Sequence, residues 1–114
     1  WIHEGFATYA ELMFLEHIFG REEYMTQLNQ YASNILNLWP MVGNYGVNED
    51  SFVGNDIYNK GAVMIHCLRS SINNDSLFFE MIKHYAVSRK HKVVTTSDIV
   101  SFVNDYTGMN FTRE

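Results

Sequence analysis

Glu4, Thr8 and Glu11 stand at i, i+4 and i+7 in a segment otherwise rich in apolar groups, among them Ile2, Phe6, Ala7, Tyr9, Ala10, Leu12, Met13, Phe14 and Leu15. On a helix this spacing draws one narrow polar strip carrying two carboxylates. The surrounding composition predicts an element buried on most sides. An ionised carboxylate taken out of water costs several kcal/mol unless a cation, a metal or hydrogen-bond donors face it. The strip therefore calls for something positive opposite it, unless it is simply the solvent side of the helix. A second candidate is Tyr58, in the first turn of another apolar helix that contains Ile57, Ala62, Val63, Met64, Ile65 and Leu68. Free amides and the helix dipole favour negative charge at such an end, so a phenol there could help hold an oxyanion. The alternative role for the same tyrosine is a core aromatic with its hydroxyl satisfied.

Helices must position these groups. Proline occurs once, at Pro40, and apolar residues recur at steps of three and four, the helical period. About five helices are expected. The first runs from Trp1 to about Phe19, closed by Gly20 in the left-handed conformation. The second spans roughly Glu22 to Leu38, with Tyr24, Leu28, Tyr31, Ile35 and Trp39 as its buried stripe. Pro40 to Gly54 is the longest irregular stretch and carries three glycines; loops of this length in compact domains usually serve a function or move. Asn55 or Asp56 caps the third helix, which runs to about Ile72. Asn73-Asn74-Asp75 is turn and cap together, and Leu77, Phe78, Met81, Ile82 and Tyr85 form the inner face of a fourth helix ending around Lys90. Thr95 or Thr96 caps a fifth, supported by Asp98 and closed by Gly108, with Ile99, Phe102, Val103 and Tyr106 facing inward.

The 114 residues are one domain's worth, and 46% hydrophobic against 18% charged residues excludes a disordered chain. A net charge of −5 with scattered basic residues speaks against nucleic acid as a partner. One cysteine, Cys67, excludes an internal disulfide framework. No stretch reaches the ~20 apolar residues that cross a bilayer. His17, His84 and His91 read as surface or helix-end residues. His66 and Cys67 are no ligand pair, because neighbours on a helix point about 100° apart. The Arg89-Lys90-His91-Lys92 run reads as a solvated helix end, and the six methionines read as packing residues.

Two blocks carry a family resemblance. Trp1-Ile2-His3-Glu4-Gly5-Phe6-Ala7-Thr8-Tyr9 resembles the W-[LI]-x-E-G-F-A-[TS]-Y block of zinc aminopeptidases of the gluzincin clan, the group that includes aminopeptidase N and the leukotriene hydrolase. Asp56-Ile57-Tyr58-Asn59-Lys60-Gly61-Ala62 is similar to the Y-x-K-G-[AF] block of the same family. The order and separation of the two blocks also match. The resemblance implies that Glu4 is the third protein ligand of a catalytic zinc, that Glu11 and Thr8 form the outer layer around it, and that Tyr58 stabilises the tetrahedral intermediate. It extends more loosely through Asp75-Ser76-Leu77-Phe78-Phe79 and Val93-Val94-Thr95-Thr96-Ser97-Asp98-Ile99 to essentially the whole chain.

The departures from the family pattern are informative as well. The metal site of that family needs H-E-x-x-H, which supplies two histidines one turn apart and a water-activating glutamate. Here His3-Glu4-Gly5-Phe6-Ala7 puts Ala7 where the second histidine must stand, and the G-x-M-E-N segment that grips the substrate amine is also missing. The expected architecture is thus an all-α bundle resembling the C-terminal helical half of a thermolysin-like catalytic domain. Residues 1–114 would form a single helical segment of it, truncated at both ends. The implied function is hydrolysis of N-terminal peptide bonds by a zinc aminopeptidase acting on peptides with a free N-terminus. The isolated piece is expected to be inactive and to self-associate through faces that met the missing half. Gly5 and Gly61 are expected to let helices pack closely near the metal, and the loop from Pro40 to Gly54 to border the substrate cleft. A non-catalytic helical scaffold derived from a peptidase is the alternative, and histidines replaced upstream would reveal it.

Overall fold

Thr95 opens the last helix as its neighbours dictate. Its hydroxyl accepts from the Asp98 amide at 3.2 Å, while the Asp98 carboxylate accepts from the Thr95 amide at 2.8 Å. This reciprocal capping box satisfies two donors that a helix start leaves free. In the computed structural model, which describes residues 1–44 and 54–112, such signals delimit five helices: α1 Ile2–Phe19, α2 Arg21–Ser33, α3 Asp56–Ile72, α4 Asp75–Ser88 and α5 Thr96–Thr107. With no strand among the described residues, the chain is all-α. It divides into two compact units, Trp1–Cys67 and Leu68–Glu114, the boundary falling within α3.

In the first unit, Tyr9 and Leu12 of α1, Tyr24 and Leu28 of α2, and Ala62 and Ile65 of α3 are buried. A single residue, Gly20, turns α1 into α2. Its φ of 91° is positive as expected, but its ψ of 178° is extended rather than left-handed, a region open essentially to glycine alone. Arg21 Nη1 reaches back across the corner to Glu16 Oε1 at 2.7 Å.

Three expectations fail in this unit. α2 stops at Ser33, not near Leu38, and Trp39 is exposed rather than buried. The amides of Leu36 and Asn37 are taken by the Asp56 carboxylate, at 2.9 and 2.7 Å, and Lys60 Nζ donates to Asn37 Oδ1 at 2.7 Å. Asn37 adopts a left-handed φ of 54°, which asparagine tolerates. A buried acceptor from α3 thus outbids the next helical turn. α1 is also not buried on most sides: Phe14, Ile18 and Phe19 are all more than half exposed.

In the second unit the core is Ile72, Phe78, Met81, Ile99 and Val103. Asn74 caps α4 by accepting from the Leu77 amide at 3.0 Å. Arg69, almost fully buried, grips Asp75 with two bonds, Nε to Oδ1 at 2.8 Å and Nη2 to Oδ2 at 2.6 Å. Its guanidinium also lies 5.0 Å from the centre of the Phe79 ring. Gly108 ends α5 in the left-handed conformation, φ 71° and ψ 9°.

Candidate functional site

α1 and α3 meet at glycine. A Cβ built on Gly5 would lie 3.0 Å from Gly61 Cα, and one on Gly61 would lie 2.8 Å from Gly5 Cα and 3.6 Å from the Trp1 carbonyl oxygen. Real Cβ atoms essentially never approach closer than 3.0 Å, so only two hydrogens fit where these backbones touch. Glu4 directly precedes Gly5, and Tyr58 lies one helical turn before Gly61. The contact therefore joins the two chain segments that carry the sequence-level candidates.

The polar strip on α1 has three different environments. Thr8 is buried, Glu4 half-buried and Glu11 exposed. Glu11 accepts from the Tyr31 hydroxyl at 3.2 Å, and burial together with the Glu11 charge pushes the Tyr31 phenol above its usual range, keeping it a donor. The Glu4 carboxylate has no hydrogen bond or ion pair among the described residues. An open groove of about 550 Å³ between α1 and α2 is lined by Ala7, Ala10, Glu11, Phe14, Leu15, Gln27 and Tyr31, and includes neither Glu4 nor Tyr58. Tyr58 is 38% exposed, which excludes the fully packed core role for its ring.

Two participants escaped sequence reasoning. Asp56 holds the connection after α2 to the first turn of α3, two residues before Tyr58; an acidic residue at a helix start reads as a cap, and nothing local shows that its acceptors face another segment. His66, read only as no ligand pair with Cys67, lies 2.6 Å through Nδ1 from the Tyr24 hydroxyl, which is itself 3.2 Å from the Tyr9 hydroxyl. The three residues stand on three different helices, so no local signal could have linked them. The segment from Tyr45 to Val53, within the loop expected to border a cleft, lies outside the described residues.

As a metal site, the described residues are incomplete. They contain no group of three or more His, Cys, Asp or Glu side chains able to hold an ion. Among them Glu4 offers a single half-buried carboxylate. Such a half-buried carboxylate, next to a glycine contact and one turn from buried Thr8, is what the α1 strip offers chemically.

The sequence profile of the Peptidase family M1 domain matches residues 1–113. The chain belongs to peptidase family M1, a family of metallopeptidases. A stretch of 64 residues is also 27% identical to the carbamoyl phosphate synthase small chain of Lawsonia intracellularis (strain PHE/MN1-00), covering 56% of this chain and 17% of that protein. The chain thus spans less than a fifth of that relative's length, and at this identity the likeness assigns no family. No solved structure matches the chain.

Proposed function

We propose that this chain is part of a zinc aminopeptidase similar to aminopeptidase N and the leukotriene hydrolase, cleaving peptides next to a free N-terminus. Glu4 serves as third protein ligand of the zinc, and Tyr58 donates to the oxyanion of the tetrahedral intermediate. The observation that carries this reading is the Gly5–Gly61 backbone contact, which draws the helix of the ligand and the helix of the phenol together. Family membership over residues 1–113 supports it independently.

When bound, zinc supplies Lewis-acid polarisation of the scissile carbonyl and of the attacking water. The residues of this chain do the rest by position. Glu4 contributes charge and one oxygen ligand, with Thr8 beneath it as outer support. Glu11 steadies α1 against α2 through Tyr31. Tyr58 offers a hydroxyl whose hydrogen bond strengthens as the carbonyl oxygen gains charge, which lowers the barrier rather than tightening substrate binding. On this reading the 114 residues alone are inactive, since one carboxylate cannot hold catalytic zinc. The exposed Phe14, Ile18 and Phe19 of α1 favour their self-association.

The test is a pair of substitutions in the intact enzyme. Tyr58→Phe should lower turnover by ~10²–10³ with zinc content unchanged, whereas Glu4→Ala should empty the metal site. Full zinc occupancy in Glu4→Ala would overturn the ligand role. Unchanged turnover in Tyr58→Phe would overturn the oxyanion role.

A further inference from the structure

A glycine–glycine contact fixes how near two helices lie but provides no side chain to key one against the other. At Gly61, α3 is held at close range to Gly5, and this contact by itself does not fix the rotation of the helix about its axis. Roll matters for Tyr58: a turn of about 10° moves a group about 6 Å from the axis by about 1 Å. A misplacement of that size at a reacting centre can cost up to about 10²-fold in rate.

Side chains on both sides of Gly61 must therefore set the phase of α3. Toward the N-terminus, the Asp56 carboxylate accepts from the Leu36 and Asn37 amides, and Lys60 donates to Asn37. Toward the C-terminus, the Tyr9, Tyr24 and His66 chain does so from the core. Tyr9 is 1% and Tyr24 0% exposed. The Tyr9 ring meets the Tyr24 ring edge-on at 6.4 Å, and the Arg21 guanidinium covers Tyr24 at 4.4 Å. With its ring so packed, Tyr24 presents its hydroxyl at a fixed point, and His66 Nδ1 meets it at 2.6 Å. Such a short bond between part-buried groups is directional, so it resists rotation where dispersion contacts would slide.

We propose that Tyr24 is a positioning residue: bonded to Tyr9 and to His66, it fixes the rotation of α3 and thereby where the Tyr58 hydroxyl stands. The inference rests on the oxyanion role of Tyr58 given above. His66 belongs to the same device as the receiving side chain on α3.

The experiment is a double-mutant cycle in the intact, zinc-loaded enzyme. Tyr24→Phe keeps the ring and deletes the hydroxyl. It should lower kcat about 3- to 10-fold, within the range that small misplacements produce, with KM and zinc content unchanged. In a Tyr58→Phe background it should lower kcat no further, because the group it positions is gone. His66→Asn, which keeps an acceptor close to the Nδ1 position, should retain turnover, and His66→Leu should lose it by the same factor as Tyr24→Phe; this pair decides the matter if Tyr24→Phe fails to fold. An unchanged kcat in Tyr24→Phe, or an equal loss in both backgrounds, overturns the positioning role while leaving Tyr58 in place. A Tyr58→Phe enzyme with full turnover overturns the oxyanion reading and this inference with it.

Discussion

Gly5 of α1 and Gly61 of α3 touch through their backbones, so that a methyl group on Gly61 would come within 2.8 Å of Gly5 Cα. The atoms in the way are main chain on both sides and cannot swing aside. Gly61→Ala must push the helices apart, an overpacking cost of about 1–3 kcal/mol. Chemical denaturation of the 114-residue chain should show an unfolding free energy lowered by that amount. Gly20→Ala should also destabilise, by about 1–3 kcal/mol, for a different reason: nothing lies within 4 Å of its added carbon, but its φ of 91° is strained for any side chain.

Arg69 and Asp75 differ in what each loses on substitution. The arginine side chain is 8% exposed and the aspartate 62% exposed. Asp75→Ala removes two charge-assisted bonds from a buried guanidinium, and solvent at the aspartate end limits the loss to about 1–2 kcal/mol. Arg69→Met exchanges the buried charge for apolar volume against Phe79 and should cost less than Asp75→Ala. Thermal unfolding of the two variants side by side gives the order.

Acid should weaken the start of α5. The Thr95 hydroxyl and amide hold the Asp98 carboxyl below its ordinary value of 3.8, stabilising the charged form in the folded state. The contribution is therefore fully present above the unfolded value and is lost as the pH falls through the lowered one. Asp98→Asn should be less stable than the parent chain near neutral pH. The gap should close at pH values below about 3.8. A gap that stays constant into acid would mean the charge contributes nothing.

The apolar side of α1 should drive association of the isolated chain. Phe14 is 61%, Ile18 52% and Phe19 65% exposed. Light scattering at high concentration should report a mass above that of the monomer, and Phe14→Glu with Ile18→Glu should return it to the monomer. A monomeric parent chain at every concentration would count against this.

Local chemistry made most helix ends legible. Asn74 and Thr95 cap through bonds to residues three positions on, and Gly108 turns left-handed because glycine has no Cβ to clash. These devices act within one turn, and the sequence displays them side by side. The end of α2 was illegible for the opposite reason: its rival acceptor, Asp56, is 20 positions from Leu36 in the chain. The bond between Tyr24 and His66 spans 42 positions and leaves no periodic trace. At the candidate site, the motifs that hold Glu4 and Tyr58 also supply Gly5 and Gly61, whose close approach was legible from them. The exposed apolar side of α1 shows where periodicity misleads, since a helix apolar all round does not say which neighbours are present to cover it.

The one-residue corner at Gly20 leaves no slack between α1 and α2. Inserting a single residue there would lengthen the non-helical corner and displace α2 as a body, taking the Tyr24 hydroxyl from its imidazole and the Tyr31 hydroxyl from Glu11 together. Chain length at this point is thus constrained more tightly than the identity of most surface positions, and viable descendants should carry neither insertion nor deletion here.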